Sequence, residues 1–375
     1  MAKRLRVAVV GVRAVGQEMV PLLHARKFPV ASLKMLATRA RDISIDGKPY
    51  HVEEICEEAF KEVDVAFFAG GDKAEGHFGW PAVGQGAIVI DNGSAYRLYP
   101  NVPLVVPEVN PEALRKHEGL IANPNCSTVQ LVAALKPLQD AARIKRVVVS
   151  TYQAVSGRGT SPNGSEPVET LYREMGELAK EMKARTAHVK PYDRLSKMLQ
   201  AAEGPAAPAD TTLFPCLIAG NCLPQVDSFG ELDYTREEWK MVYETRKILG
   251  DDNLQVTATC VRVPVVNSHS EAVNVEFHTP LSAARAKELL RAAPGIVVID
   301  EPVPGGYPLA RPASGRDEVF VGRIREDRTV PFGLNLWVVS DNLKKGAALN
   351  AVQIAEKMLE MGLLQRKGER KGAGK

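Results

Sequence analysis

A chain of 375 residues, 45% apolar and 25% charged, is long enough for two globular domains and lies outside the compositions of disordered, fibrous and membrane-embedded proteins. Its net charge of +3 is slight, and much of the excess sits in the terminal QRKGERKGAGK, so no basic surface argues for nucleic acid. The five cysteines, Cys56, Cys126, Cys216, Cys222 and Cys260, are odd in number and form no C-x-x-C pair, which argues against a disulfide framework and a bound metal. No apolar run is long enough to span a bilayer, and MAKRLRVAVV leads directly into a strand and not a signal-peptide core. A cytoplasmic protein with reduced thiols and no membrane contact is expected.

In chain order, LRVAVV, LKMLAT, DVAFFAG, AIVID and LVVP read as strands, and Gln17–Arg26, Lys73–Val83 and Pro111–Lys116 as helical. That alternation predicts a parallel sheet covered by helices, a nucleotide-binding α/β domain. Pro21 is awkward in the first helix, where it removes a hydrogen bond unless it lies in the opening turn. Next, ANPNCSTVQLVAAL predicts a helix start at Cys126, with Ser127 and Thr128 able to cap it and Asn123-Pro124-Asn125 resisting helix before it. IKRVVVSTYQ, QVTATCVRVPVV, AVNVEFHT and GLNLWVVS then predict long strands of a second sheet. A polar, helix-prone insert over 166–200, followed by AAEGPAAPAD, separates the first of these strands from the rest. LKKGAALNAVQIAEKML closes the chain as an amphipathic helix expected to return to the first domain.

Cys126 raises a choice. A lone cysteine is most often a small buried hydrophobe, but one at a helix start meets unpaired N–H groups and the positive end of the dipole, which lower a thiol's pKa. Candidate partners for a thiol nucleophile lie downstream. His269 suits acid–base work at neutral pH, though it is one of seven histidines. Arg262 sits in an apolar strand, where an unpaired charge is costly, so a carboxylate of the protein or of a substrate should face it. Gln153 follows a strand into a turn and can donate an amide N–H. Glu244 and Lys247 lie three apart on one helix face, the spacing of an ordinary surface ion pair. The turn GVRAVGQE, with Gly11 and Gly16 as its only glycines, falls short of G-x-G-x-x-G. There Arg13 either meets a phosphate or points to water. Thr38 and Arg39 follow the second strand where an adenosine ribose lies in such folds, and an arginine there suits a 2′-phosphate, hence NADP.

Taken together, AVVG…VGQEM, FFAGG, AIVIDNGSAYR, VPLVVPEVN, IANPNCST, TYQAVSG, YTREEWKMVYETRKILGDD, VRVPV…HSEAV, VGRIR and KGAALNAVQIAE resemble the aspartate-semialdehyde dehydrogenase family in chain order over nearly the whole chain. The resemblance implies an α/β N-terminal domain with a Rossmann-like parallel sheet over 1–124 and an α+β catalytic and dimerisation domain over 125–345. A helix over 346–364 would return to the NADP-binding domain, and 365–375 would be a flexible basic tail. It further implies that Cys126 is the nucleophile, His269 the acid/base and Gln153 the group orienting the acyl carbon. Arg262 and Glu244 would hold the substrate's α-carboxylate and α-amino group. Arg97, Asn125 and Lys247 would meet the phosphoryl group, and the Asn125 amide with the Cys126 N–H would receive the oxyanion. NADP would contact Gly11, Arg13, Ala14, Val15, Gly16, Thr38, Arg39, Ser156, Gly157 and Asn350. The implied reaction reduces L-4-aspartyl phosphate to L-aspartate 4-semialdehyde with release of phosphate, in a homodimer or homotetramer serving lysine, threonine, methionine and diaminopimelate synthesis.

The chain departs from the family pattern at the first turn, one residue shorter than GATGAVG and without its middle glycine, at Gly220 and Gln225, and in the longer AAEGPAAPAD linker. Two other readings stay open. One is a related acyl-phosphate reductase such as N-acetyl-glutamyl-phosphate reductase, whose cysteine commonly sits in a Gly-Cys-Tyr setting. The other is a cofactor-impaired, non-catalytic paralogue.

Overall fold

The computed structural model of the protein describes residues 4–70, 76–159, 166–185 and 213–364. The first domain is a seven-stranded sheet of β1 (Leu5–Val10), β2 (Val30–Ala37), β3 (Arg41–Ile45), β4 (Lys48–Glu54), β5 (Val65–Phe68), β6 (Ile88–Asp91) and β7 (Leu120–Ala122), in the order β3-β4-β2-β1-β5-β6-β7. All pairs are parallel except β3 with β4. β1, β5 and β6 are buried almost throughout, because helices cover both faces of a parallel sheet. Helix α1 (Ala14–Ala25) packs on one face and the short α2 (Gly79–Gly84) on the other.

Four local expectations need correction. LVVP forms only an isolated bridge, Leu104 to Ala122, since Pro103 and Pro107 bracket it and remove ladder donors. The edge strand is β7 instead. The helix expected over Lys73–Val83 is reduced, within the described residues, to a 3-10 turn at Gly76–Phe78 and the six residues of α2, and Pro111–Lys116 is also a 3-10 turn. Pro21 lies well inside α1, not in its opening turn, and the helix runs on through it. The β3–β4 hairpin, absent from the strands read above, turns at Asp46-Gly47 with φ of 49° and 76°, the left-handed pair that a two-residue hairpin demands.

The second domain opens with α3 (Cys126–Ala142) and β8 (Ile144–Gln153), followed by α4 (Pro167–Arg185) and α5 (Arg236–Leu249). Then come β9 (Gln255–Arg262), β10 (His269–Phe277), α6 (Ala283–Ala292), β11 (Ile296–Val298), α7 (Ala310–Ala313), β12 (Val319–Asp327) and β13 (Gly333–Ser340). Its sheet runs β11-β12-β13-β10-β8-β9, with β8–β9 and β11–β12 parallel and the rest antiparallel. Leu131, Leu135 and Leu138 of α3 meet Val147, Val149, Val273 and Val275 in its core. The final helix α8 (Leu349–Glu360) sends Leu349, Val352, Ile354 and Met358 into the core of the first sheet. AAEGPAAPAD and 186–200 lie outside the described residues.

One buried group carries a stability prediction. Glu271 of β10 is fully buried, neither carboxyl oxygen makes a hydrogen bond of ordinary geometry among the described residues, and burial pushes its pKa well above the usual carboxylate range. An acid with a raised folded pKa stays protonated while its unfolded counterpart ionises. The penalty is absent below the unfolded pKa and grows as pH rises toward the folded one. Glu271→Gln is therefore expected to leave the melting temperature nearly unchanged near about pH 4 and to raise it near about pH 8. The rise should be about 2–4 °C for each kcal/mol recovered. Melts showing the same shift at both pH values would contradict this assignment.

Candidate active site

Asn125, not Ser127 or Thr128, caps α3: its Oδ1 accepts from Ser127 N at 3.0 Å and Thr128 N at 3.3 Å. Both hydroxyl residues are buried inside the first turn, and the Thr128 hydroxyl faces Met241 Sδ. The cap leaves Cys126 as the first helical residue, at the junction of the two domains. Its Sγ lies 3.2 Å from His269 Nε2, although 143 residues separate them. His269 opens β10 and is fully buried.

The protonation of this pair differs from the sequence expectation. Burial first, and then Glu237, push the Cys126 thiol up to about 12, against Arg262, Arg97 and Lys240, which pull it down. The helix dipole acts within one turn at a fraction of a charge and is outweighed by desolvation. Burial and the neighbouring Arg262 hold the His269 imidazole well below the usual histidine range, so it is neutral. The Ala154 N–H donates to His269 Nδ1 at 3.0 Å. Since Nδ1 accepts, the single ring hydrogen of the neutral imidazole sits on Nε2 and faces Sγ. The resting pair is a thiol beside a hydrogen-bond donor.

Gln153 ends β8 and pairs in register with Arg262 at the end of β9, which places both on the face that carries His269. Arg262 donates Nη1 to Ala154 O at 2.6 Å and forms no ion pair with a carboxylate among the described residues. It is 4% exposed, and burial lowers its pKa. The anion that the sequence requires beside Arg262 is therefore not supplied at bonding distance by a described side chain.

Helix α5 delivers the acids. A Thr235–Glu238 capping box starts it and Gly250, with φ of 68°, ends it. Glu237, Lys240, Glu244 and Lys247 recur at 3-4-3 spacing along one face. Glu244 is committed: Oε1 accepts from Arg97 Nη1 at 2.9 Å and Oε2 from Asn125 N at 2.6 Å. Lys247 does not pair with it. Its Nζ donates to the carbonyls of Arg97, Tyr99 and Val102, three bonds that use every ammonium hydrogen and leave none for a phosphoryl group. Glu237, unremarked in the sequence, is the central acid. Its Oε1 accepts from Asn125 Nδ2 at 2.9 Å and Gln153 Nε2 at 3.1 Å, and its Oε2 from Lys240 Nζ at 3.3 Å. The Asn125 amide, expected to face an oxyanion, is thus held by Glu237.

Two glycines permit this packing. A Cβ on Gly157 would lie 2.8 Å from His269 Cε1 and one on Gly346 2.8 Å from Cys126 Cβ. Gly346 belongs to a single π-helical turn, Lys344–Ala348, a device common at functional sites. Asn350, one residue into α8, is fully buried. It donates Nδ2 to Val105 O and Asn123 Oδ1 and accepts from Lys345 Nζ, so its amide braces the domain junction.

Of the expected cofactor residues, those from Gly11 to Arg39 gather at the C-terminal ends of β1 and β2, neighbouring parallel strands, where ligands bind such sheets. A Cβ on Gly11 (φ 89°) would lie 2.5 Å from Gly70 N, and one on Gly16 1.8 Å from Gly11 O. Two glycines thus hold the tight backbone turn that presents the start of α1, Ala14 and Val15 included. Arg13 is its N-cap and makes no side-chain capping bond. Thr38 and Arg39 are exposed just past β2, and Ser156 and Gly157 lie in the turn after β8, Gly157 against His269. The turn and its exposed neighbours fit a dinucleotide's pyrophosphate and ribose. Among the described residues no cluster of three metal-ligating side chains occurs, and no helix is long and apolar enough to cross a membrane.

Comparisons with known proteins agree with this geometry. Residues 6–117 match the family model described as the semialdehyde dehydrogenase NAD binding domain, and 135–345 the one described as the semialdehyde dehydrogenase dimerisation domain. The chain is 46% identical over 366 residues to the aspartate-semialdehyde dehydrogenase of Aquifex aeolicus, spanning 96% of this chain and 99% of that one. The crystal structure of aspartate semialdehyde dehydrogenase II complexed with ASA from Vibrio cholerae aligns with a TM-score of 0.82 at 39% identity, over 96% of this chain and 99% of that one. An aspartate semialdehyde dehydrogenase with NADP from Candida albicans shares the fold, with a TM-score of 0.69 at 24% identity over 96% of this chain and 100% of that one. Identity sustained over nearly the whole of both proteins, with both family domains matched in order, makes this chain a member of the aspartate-semialdehyde dehydrogenase family.

Proposed function

We propose that the protein catalyses the NADPH-dependent reductive dephosphorylation of L-4-aspartyl phosphate to L-aspartate 4-semialdehyde through a thioester on Cys126. The observation that carries this reading is the Sγ–Nε2 approach of 3.2 Å beside an Arg262 that lacks a carboxylate partner among the described residues. Arg262 receives the substrate's α-carboxylate. Glu237 and Glu244 are both hydrogen-bonded at rest, Glu237 to three donors and Glu244 to two, and either carboxylate on this face supplies the charge for the α-ammonium, while Lys240, which bridges Glu237 and Asp227, supplies a cation for the phosphoryl group. An ammonium at Glu237 also offsets the anion that helps to keep Sγ protonated.

Sγ attacks the acyl carbon, the C–O bond to phosphate breaks, and the thiol proton departs with the phosphate. NADPH supplies hydride. His269 Nε2–H protonates the oxygen anion produced by reduction. On collapse that hydroxyl proton returns to Nε2 as the C=O bond re-forms, the C–S bond breaks with its electron pair going to sulfur, and a proton from solvent restores the thiol. The Cys126 backbone N–H, at the open start of α3, is aimed at that oxygen. The same reading takes the enzyme as a cytoplasmic homodimer or homotetramer of lysine, threonine, methionine and diaminopimelate synthesis, with NADP preferred to NAD because of Arg39. Oxidation of NADPH with aspartyl phosphate, and reduction of NADP with semialdehyde plus phosphate, test it. Turnover with N-acetyl-glutamyl phosphate in place of aspartyl phosphate would transfer the assignment to the related reductase.

A further inference from the structure

Lys240 and Lys247 share one face of α5, yet their ammonium groups are used differently. Lys247 gives all three hydrogens to carbonyls. Lys240 Nζ donates to Asp227 Oδ2 at 3.0 Å and to Glu237 Oε2 at 3.3 Å, and its third hydrogen meets no acceptor among the described residues. Burial works to lower the Lys240 pKa, but Glu237 and then Asp227 outweigh it, against a weaker opposition from Arg97, so the ammonium stays charged. The Lys240 side chain is 25% exposed and that of Asp227 38%, which lets an anion reach the ammonium without any unfolding.

Asp227 enters no step of the reaction scheme, but its placement is specific. It has φ of 70°, in the left-handed region that aspartate tolerates better than most residues. Its Oδ1 accepts from Ser228 N at 2.8 Å, and the Ser228 carbonyl accepts from Arg236 N at 2.9 Å, which ties this turn to the first residue of α5. Upstream, Leu223 exchanges two backbone hydrogen bonds of 2.8 Å with Arg262, and Val226 is buried in the core of the second domain. The segment from Leu223 to Ser228 is therefore fixed at one end to the strand that carries Arg262 and at the other to the helix that carries Glu237 and Lys240. A lysine bears its charge on a flexible four-carbon stem and loses much rotamer freedom on binding. Glu237, three residues back on the same helix, leaves that stem room to swing. A second acceptor on the facing turn removes the freedom before an anion arrives.

We propose that Asp227 is a positioning residue for Lys240: with Glu237 it holds two of the three ammonium hydrogens and so presents the third to the phosphoryl group of the substrate. The inference rests on the proposed function, which takes Lys240 as the phosphoryl cation. Phosphate is itself a substrate in the direction that starts from semialdehyde, so KM for inorganic phosphate reads this contact separately from the rest of the site. Asp227→Gly removes the carboxylate and suits the left-handed backbone. In the reduction of NADP with semialdehyde and phosphate it is expected to raise KM for phosphate about 10-fold, while KM for semialdehyde and kcat at saturating phosphate stay within about 3-fold. A turn that had merely lost its shape would disturb Arg262 through Leu223 and move KM for semialdehyde as well.

Asp227→Asn keeps an acceptor, which the charged Lys240 takes in preference to the exposed Ser228 N–H. It should bring KM for phosphate to no more than about 3-fold above the parent. A second readout needs no turnover. Acetylation of Lys240 by acetic anhydride near about pH 8, followed by peptide mass spectrometry, reports the free amine, and either substitution should speed it about 10-fold because one of the two carboxylates that keep the ammonium charged is gone. Parental KM for phosphate in Asp227→Gly, an equal rise in KM for semialdehyde, an Asp227→Asn variant no better than Asp227→Gly, or acetylation at the parental rate in both would each overturn the proposal. Should Asp227→Gly fail to fold, Asp227→Asn decides alone: faster acetylation with a near-parental KM for phosphate supports the proposal, and a rise of about 10-fold in that KM refutes it. A parent that reduces no NADP with semialdehyde and phosphate would overturn the proposed function and this inference with it, whereas an active Asp227→Gly with parental KM for phosphate overturns this inference alone.

Discussion

Cys126→Ala is expected to abolish turnover, with a loss on the order of 10⁶-fold, the scale seen when a covalent nucleophile is removed from an otherwise intact site. The fold should survive. Cys126 is only half-buried as a residue, its cap is supplied by Asn125, and alanine is the best helix former at the position it vacates. The same residue should behave unusually in the parent. With burial and Glu237 pushing the thiol up to about 12, iodoacetamide should react slowly at neutral pH in the free enzyme, and the rate should keep climbing with pH without a plateau near the ordinary thiol value. Residual activity in Cys126→Ala near the parental level would remove the sulfur chemistry on which the proposed function stands, and an alkylation plateau at neutral pH would overturn the protonated resting state assigned to the pair.

That thiol also marks where local reasoning ends. The helix start at Cys126 is legible because Asn-Pro-Asn resists helix and VQLVAAL favours it. The charge state is not, because the dipole belongs to one turn whereas desolvation is set by β10 and α5, far along the chain. The choice of cap fails for a smaller reason. Asn, Ser and Thr are all good caps, and only the backbone at Asn125 (φ −57°, ψ 144°) selects among them. The β3–β4 hairpin was within reach, since Asp-Gly between short strands is the strongest local hairpin signal. LVVP illustrates the reverse: apolar and β-branched, it is stopped by the prolines on either side.

On α5 the face was legible but the register was not. Glu237, Lys240, Glu244 and Lys247 share one stripe, so spacing alone could not tell which partner each side chain takes. The contacts that decide it, Glu244 with Arg97 and Lys247 with three carbonyls, cross about 150 residues of sequence. Gly346 carries no local signal at all, because its lack of a side chain matters only where the π-helical turn meets Cys126.

His269→Asn should lower kcat about 10²–10⁴-fold, the span associated with losing a positioned proton donor, while KM changes little because no substrate-binding charge is removed. Asparagine is an informative replacement. It stays polar and uncharged in a fully buried position and can still accept the Ala154 N–H, so the turn after β8 need not collapse. What it lacks is a proton acidic enough to hand to an alkoxide. The parent's pH dependence adds an independent check. An imidazole held well below the usual histidine range is already neutral at pH 7, and acidification protonates it only at the bottom of the accessible range. The kcat profile of the parent should therefore show no histidine inflection near the ordinary value. An inflection there that vanishes in His269→Asn would mean that the ring titrates freely. Its Nδ1 could not then be held as an acceptor by Ala154, and the hydrogen facing Sγ would no longer be fixed on Nε2.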